Sequence, residues 1–268
     1  MSDAPRDKDE LTRQRAQLDS DILALLLRRA RLSREVGRAG QGVAKLPSTE
    51  RDTLDTLVAA AGDELPAEAV RAVFREVHAV CRSLEAPVHV VYASTDGEGG
   101  EAAARRTFGA LAQVSRVDSQ AAALSAVASK KADFAVLPYE STTEGMVAST
   151  LEALRFSEAH LISLVDAEPG ASLRHAVAAL RPASRTGRDV TALLFTASDQ
   201  PGALFETLKH FAERGVNLRK IQSRPSEGEG YLFFVEMSGH ITDRSLVAAL
   251  EGVKKQTRTL KILGSFPA

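Results

Sequence analysis

Between residues 8 and 39, Leu11, Leu18, Ile22, Leu25, Leu32 and Val36 recur at a spacing near 3.5. This predicts one long helix whose apolar stripe seeks a partner helix. Arg15 and Arg29 interrupt the stripe. Charges in a seam are costly unless they meet an anion or reach the helix edge, and the pattern leaves both readings open. Gly37, Gly40 and Gly42 end the helix. A second helix is predicted from a Ser48 cap, and a third from about Pro66 to Leu84, its face formed by Val70, Val73, Phe74, Val77, Cys81 and Leu84. An all-α unit this thin cannot bury its stripe alone, so dimerisation is expected.

At Pro87 the period changes from 3.6 to 2. Segments 88–93, 112–117, 134–140 and 160–165 read as strands, with helices between them. Alternating β and α predicts one α/β lobe built on a parallel sheet. RPASRTGRD (181–189) interrupts as a linker, and the remainder reads β-α-β-β-α-β, a split βαβ sandwich. The expected architecture is multi-domain: 1–86 all-α, 87–180 an α/β lobe, 181–188 a linker and 189–268 a βαββαβ unit.

Composition narrows the chemistry. A net charge of −1 gives no basic footprint for nucleic acid or an anionic membrane surface. A lone Cys81 excludes an internal disulfide framework and a Cys-rich metal site. No apolar run approaches membrane-spanning length and the first residues lack a signal-type apolar core, so a cytoplasmic location is expected. No metal or cofactor is implied. Gly97–Gly100 superficially suggests a dinucleotide turn, but its spacing is wrong and its acidic neighbours would repel a pyrophosphate.

The strongest motif lies in the last unit. At Asp199–Leu204, Gly202 sits where a strand turns into a helix and exposes helix N-terminal N–H groups. About twenty residues on, Gln222, Ser223, Arg224 and Pro225 end a strand. Helix-start N–H groups suit a carboxylate and an adjacent apolar slot suits a side chain, so an amino acid is the economical ligand; a turn and strand end without any ligand is the plain alternative.

PGAL, GVNL, SRPS and the closing LKILGSFPA resemble the ACT regulatory domain that ends prephenate dehydratases. The resemblance implies L-phenylalanine as effector, bound across a dimer interface by Gly202, Ala203, Leu204, Asn217, Leu218, Gln222, Ser223, Arg224 and Pro225. Gln222 stands where the family usually has Glu.

The rest of the chain resembles the bifunctional chorismate mutase–prephenate dehydratase family, with damaged motifs. LDSDILALLLRRARLSREVG is similar to the first mutase helix. Arg29 and Glu50 match family positions, and Arg15 and Lys45 stand near two lost cations. Thr12, Gly40 and Thr49 replace an arginine, a lysine and an arginine, while Leu46, Cys81 and Glu85 replace an aspartate, a serine and a glutamine. Each missing charge-assisted contact to the dicarboxylate is worth roughly 1.5–3 kcal/mol. ADFAVLPYESTTEG resembles a dehydratase stretch, keeping Pro138, Glu140, Thr142 and Gly145 with Ser141 at the usual Asn. The family's second lobe and its Thr-Arg-Phe strand are missing: nine residues between Leu180 and Val190 cannot hold another α/β lobe. One lobe makes no cleft, so dehydratase activity is not expected.

The resemblance therefore implies a P-protein-like chain of phenylalanine biosynthesis, acting as a phenylalanine-binding regulator with eroded catalytic sites. The alternative is an active, phenylalanine-regulated chorismate mutase. Homodimer or tetramer formation and another shikimate-pathway enzyme as partner are the expected associations.

Overall fold

A computed structural model describes residues 7–40, 51–93, 99–226 and 230–268. The chain divides into a helical unit ending at Pro87 and an α/β unit beginning at Val88.

In the helical unit, α1 (Lys8–Ala39) has the bounds that its stripe predicts, and the Asp7 carboxylate caps it by accepting from the Asp9 N–H. Helices α2 (Arg51–Ala61) and α3 (Ala67–Glu85) follow; the Ser48 cap lies outside the described residues. Arg71 binds Asp55 at 2.8 Å and ties α3 to α2. Arg29 meets Val77, and Gly37 abuts Glu85 so closely that a Cβ there would stand 2.1 Å from the Glu85 carbonyl oxygen. The end of α1 thus runs alongside the end of α3 in the same direction. The leading part of α1 finds no such cover: Leu18 is 61% and Leu25 64% exposed.

The α/β unit holds two sheets. The first comprises β1 (His89–Ala93), β2 (Gln113–Val117), β3 (Phe134–Ser141), the short β4 (Gly145–Met146), β5 (His160–Asp166) and β6 (Leu173–Ala179), in the order β2-β1-β3-β6-β5 with β4 beside β3. Helices α4 (Gly100–Phe108), α5 (Gln120–Ala128) and α6 (Ala148–Arg155) connect the strands. The four strands expected from sequence run in one direction. The sheet as a whole is mixed, because β6 inserts antiparallel between β3 and β5. Segment 173–180 therefore continues this lobe and closes its sheet.

The second sheet is β7 (Asp189–Ala197), β8 (Leu218–Ser226), β9 (Gly230–Ser238) and β10 (Leu260–Pro267), ordered β10-β7-β9-β8 and antiparallel throughout. Helices α7 (Ala203–Ala212) and α8 (Arg244–Gln256) cover one face, with Phe211 of α7 packing over Leu193, Phe195 and Val235 in one core. Alternate residues on the other face, Ala192, Leu194, Leu232, Phe234 and Phe266, join Leu151, Leu154 and Leu161 of the lobe in one core. With both faces covered, every position of β7 is buried. Two contacts fix the join. Gly264 (φ 151°) lies against the Leu161 backbone, where a Cβ would be 2.2 Å from the carbonyl oxygen. Lys261 donates to the carbonyls of Arg155 at 2.8 Å and Ser157, filling acceptors at the end of α6.

Candidate functional site

The acid that the resemblance places in a dehydratase set, Glu140, ends β3 and faces the second sheet. Lys220 of β8 donates to it at 2.6 Å and lies 3.6 Å from Glu236 of β9. The buried Tyr139 hydroxyl donates to Glu236 at 2.7 Å. Burial, then the Glu236 charge, holds the Tyr139 phenol well above its usual range, so it remains a donor. Gln222 joins the contact by accepting from the Met146 N–H at 3.2 Å. Tyr139, Lys220 and Glu236 have no local signal in the sequence. The one available hint is the charge of Lys220 on the strand face it shares with Gln222.

Ser141 and Thr142 take structural parts. The Ser141 hydroxyl meets that of Thr143 at 2.9 Å and accepts from the N–H groups of Thr143 and Glu144, pinning the turn into β4. Thr142 donates its N–H to the Ser172 carbonyl. On β6, paired with Pro138 and Val165, the buried His175 has no hydrogen-bond partner for Nδ1 among the described residues, and burial pushes its ring below the usual histidine range against an opposing pull from Asp166.

In the helical unit, Arg29 is half-buried and donates to the Val77 carbonyl at 3.3 Å. Burial, with Arg29 and Arg82 adding to it, lowers the neighbouring His78. Arg15 is exposed one-and-a-half dozen ångströms or more away, about 21 Å along the same helix, so one chain does not bring the two arginines together. Lys45 and Glu50 lie outside the described residues.

In the last unit, Gly202 is left-handed (φ 83°) and caps α7 with no side-chain cap; the Ala203 N–H donates to the Gln200 carbonyl at 3.1 Å, and those of Leu204 and Phe205 have no partner within the helix. It lies at the end of the sheet where β8 finishes: a Cβ on Gly230, which pairs with Ser226, would touch Ala197 and Asp199. Ala203 and Leu204 open α7 over its core. Asn217 and Leu218 stand at the opposite end of β8, seven residues or about 23 Å from Pro225. Gln222 and Arg224 are half-buried toward the lobe, whereas Ser223 and Pro225 are exposed. A single chain therefore gathers only part of the expected set. A cleft of 590 Å³ opens between α6 and the second sheet.

Comparison with known proteins follows this division. The chorismate mutase type II profile matches residues 11–86, the prephenate dehydratase profile 95–178 and the ACT domain profile 191–254. The chain is 27% identical to the bifunctional chorismate mutase/prephenate dehydratase of Aquifex aeolicus, over 96% of this chain and 97% of that protein. The architecture is P-protein-like. In this P-protein-like chain, Lys220 belongs to the ACT sheet and Glu140 to the dehydratase-like lobe. Among solved structures, a prephenate dehydratase from Arthrobacter aurescens in complex with L-Phe is similar in fold, with 23% identity and a TM-score of 0.60 over 68% of this chain and 90% of that one. GqqA, described as a novel type of quorum quenching acylase, is similar at 25% identity and a TM-score of 0.59 over 67% of this chain and 95% of that one. The order of the three matched segments is P-protein-like, with an ACT domain last. Among the described residues, no helix is long and apolar enough to cross a membrane.

Proposed function

We propose that this protein is a cytoplasmic, phenylalanine-binding regulator whose dehydratase chemistry has been lost. The Lys220–Glu140 contact carries the reading: the retained acid is tied to the ACT sheet by Lys220, so its carboxylate is not presented unpaired to a substrate. Loss of length supports it. The alignment with the Aquifex protein runs over 351 positions against 268 residues here, and nine residues join Leu180 to Val190. The domains on this reading are 1–86, 87–180 and 189–268, with 181–188 as linker.

L-Phenylalanine is the effector, as it is the bound molecule in the Arthrobacter relative. The open N–H groups after Gly202 take its carboxylate. Antiparallel pairing of two β8 edges would set Leu218 and Asn217 of one copy beside Ser223 and Pro225 of the other, which completes the set across a homodimer. A partner enzyme of the shikimate route reads out the bound state. Assay of prephenate consumption tests the loss of chemistry: a background rate is expected, and turnover above it overturns the reading.

A second reading, a working chorismate mutase, draws on Arg29, which reaches inward to α3 as a substrate-gripping arginine must. Chorismate consumption by the wild type and Arg29→Ala decides it: equal background rates end it, and a wild-type rate abolished by the substitution supports it.

A further inference from the structure

We propose that Lys220 couples the ACT sheet to the β3–β4 hairpin of the lobe, by moving between two carboxylates when the effector binds. The coupling rests on the phenylalanine-binding reading above and adds the residue that passes the bound state on. A β-bulge in each sheet builds the contact. In β8 the pairing with β9 slips between Leu218 and Lys220, leaving Arg219 as the extra residue. Residues two apart on a regular strand share a face, yet Leu218 packs into the core under α7 and α8 whereas Lys220 reaches the lobe. The bulge turns the strand over between them. In β3 the pairing with β6 slips between Pro138 and Glu140. Neighbours on a regular strand point apart, yet the Tyr139 hydroxyl and the Glu140 carboxylate both reach the ACT sheet.

The joint sets one ammonium between two carboxylates. Lys220 Nζ lies 2.6 Å from Glu140 Oε1 and 3.6 Å from Glu236 Oε2. Glu236 keeps its other oxygen on the Tyr139 hydroxyl, so it can take the lysine without giving up that bond. Apolar packing would hold the two sheets together as well as a half-buried ion pair does. What the pair adds is two discrete positions for one residue, which is the element a coupling mechanism needs. On Glu140, Lys220 also touches the hairpin itself: its ammonium donates to Met146 Sδ at 3.7 Å, and Glu140 pairs with Met146 where β3 meets β4. Movement toward Glu236 releases both residues of that pair. The ladder is interrupted at Arg219, so a displacement of the effector end of β8 carries Lys220 with it and stops before Leu218. Lys220 is thus a positioning residue, separate from the strand end that holds the ligand.

Hydrogen exchange of the full chain, with and without saturating L-phenylalanine, reads the hairpin through the amides of residues 142–147, and calorimetry on the same samples reads binding. In the wild type, phenylalanine should speed exchange there about fivefold or more. Lys220→Met should still bind phenylalanine, with an affinity changed by about the same factor because coupling is reciprocal, and its hairpin should no longer respond. Lys220→Arg, which keeps a cation between the acids, should restore the response. Glu236→Gln, which removes the charge of the second position and leaves the first, should abolish the response in the same way; it decides the matter if Lys220→Met does not fold. A wild-type hairpin that ignores bound phenylalanine, or a response that survives both Lys220→Met and Glu236→Gln, overturns the coupling and leaves the effector reading standing. Absence of phenylalanine binding to the wild type overturns both.

Discussion

Lys220 of the ACT sheet donates to Glu140 of the dehydratase-like lobe at 2.6 Å, across 80 residues of sequence. It also stands between Glu140 and the nearly buried Glu236. Removing the lysine leaves two carboxylates facing one another, whereas removing the Glu140 charge leaves the lysine a second acid. Lys220→Met is therefore expected to destabilise the chain by about 2–3 kcal/mol and Glu140→Gln by about 1 kcal/mol. Urea unfolding of the two variants checks the order; equal costs would contradict the shared role of Lys220.

Gly264 is where β10 comes closest to β5. Alanine there must displace the Leu161 backbone, and its φ of 151° is strained for any side chain. Gly264→Ala should cost about 3 kcal/mol or more, seen as a lower urea midpoint. By contrast, Gly170→Ala meets no atom within 4 Å and bears only the backbone penalty of its positive φ, about 1 kcal/mol.

Burial lowers His78, His160 and His175 below 6.5. The unfolded chain then binds protons more readily than the folded one, so stability is full above about pH 6.5 and falls as pH drops through the unfolded-state value. Each histidine contributes a slope of at most about 1.4 kcal/mol per pH unit. His175→Gln should flatten the decline between pH 6.5 and 5 by up to one proton's worth, measured by urea titrations across that range.

The exposed leucines of α1 predict self-association of the full chain. Sedimentation should give a dimer or tetramer, and Leu25→Glu should shift it toward monomer by placing a charge in the seam. A wild-type monomer at tens of micromolar would contradict this.

Long, strongly patterned elements were legible in the sequence. The α1 stripe, with glycines behind it, fixes a helix whose bounds depend on local residues alone. Strand β6 was not, because Leu173–Ala179 is alanine-rich, and a strand buried between two neighbours loses its alternation. The Lys220–Glu140 contact escaped for another reason: it is a product of sheet-on-sheet packing, which no short window encodes. The cleft beside Arg224 is of the same kind, since α6 and β8 meet only after the lobe and the ACT sheet have joined.

Titration calorimetry of L-phenylalanine into the full chain tests the regulatory account most directly. Saturable binding at one site per chain for the Gly202 turn, lost in Gly202→Val, is the predicted result. No heat of binding at millimolar phenylalanine would contradict it.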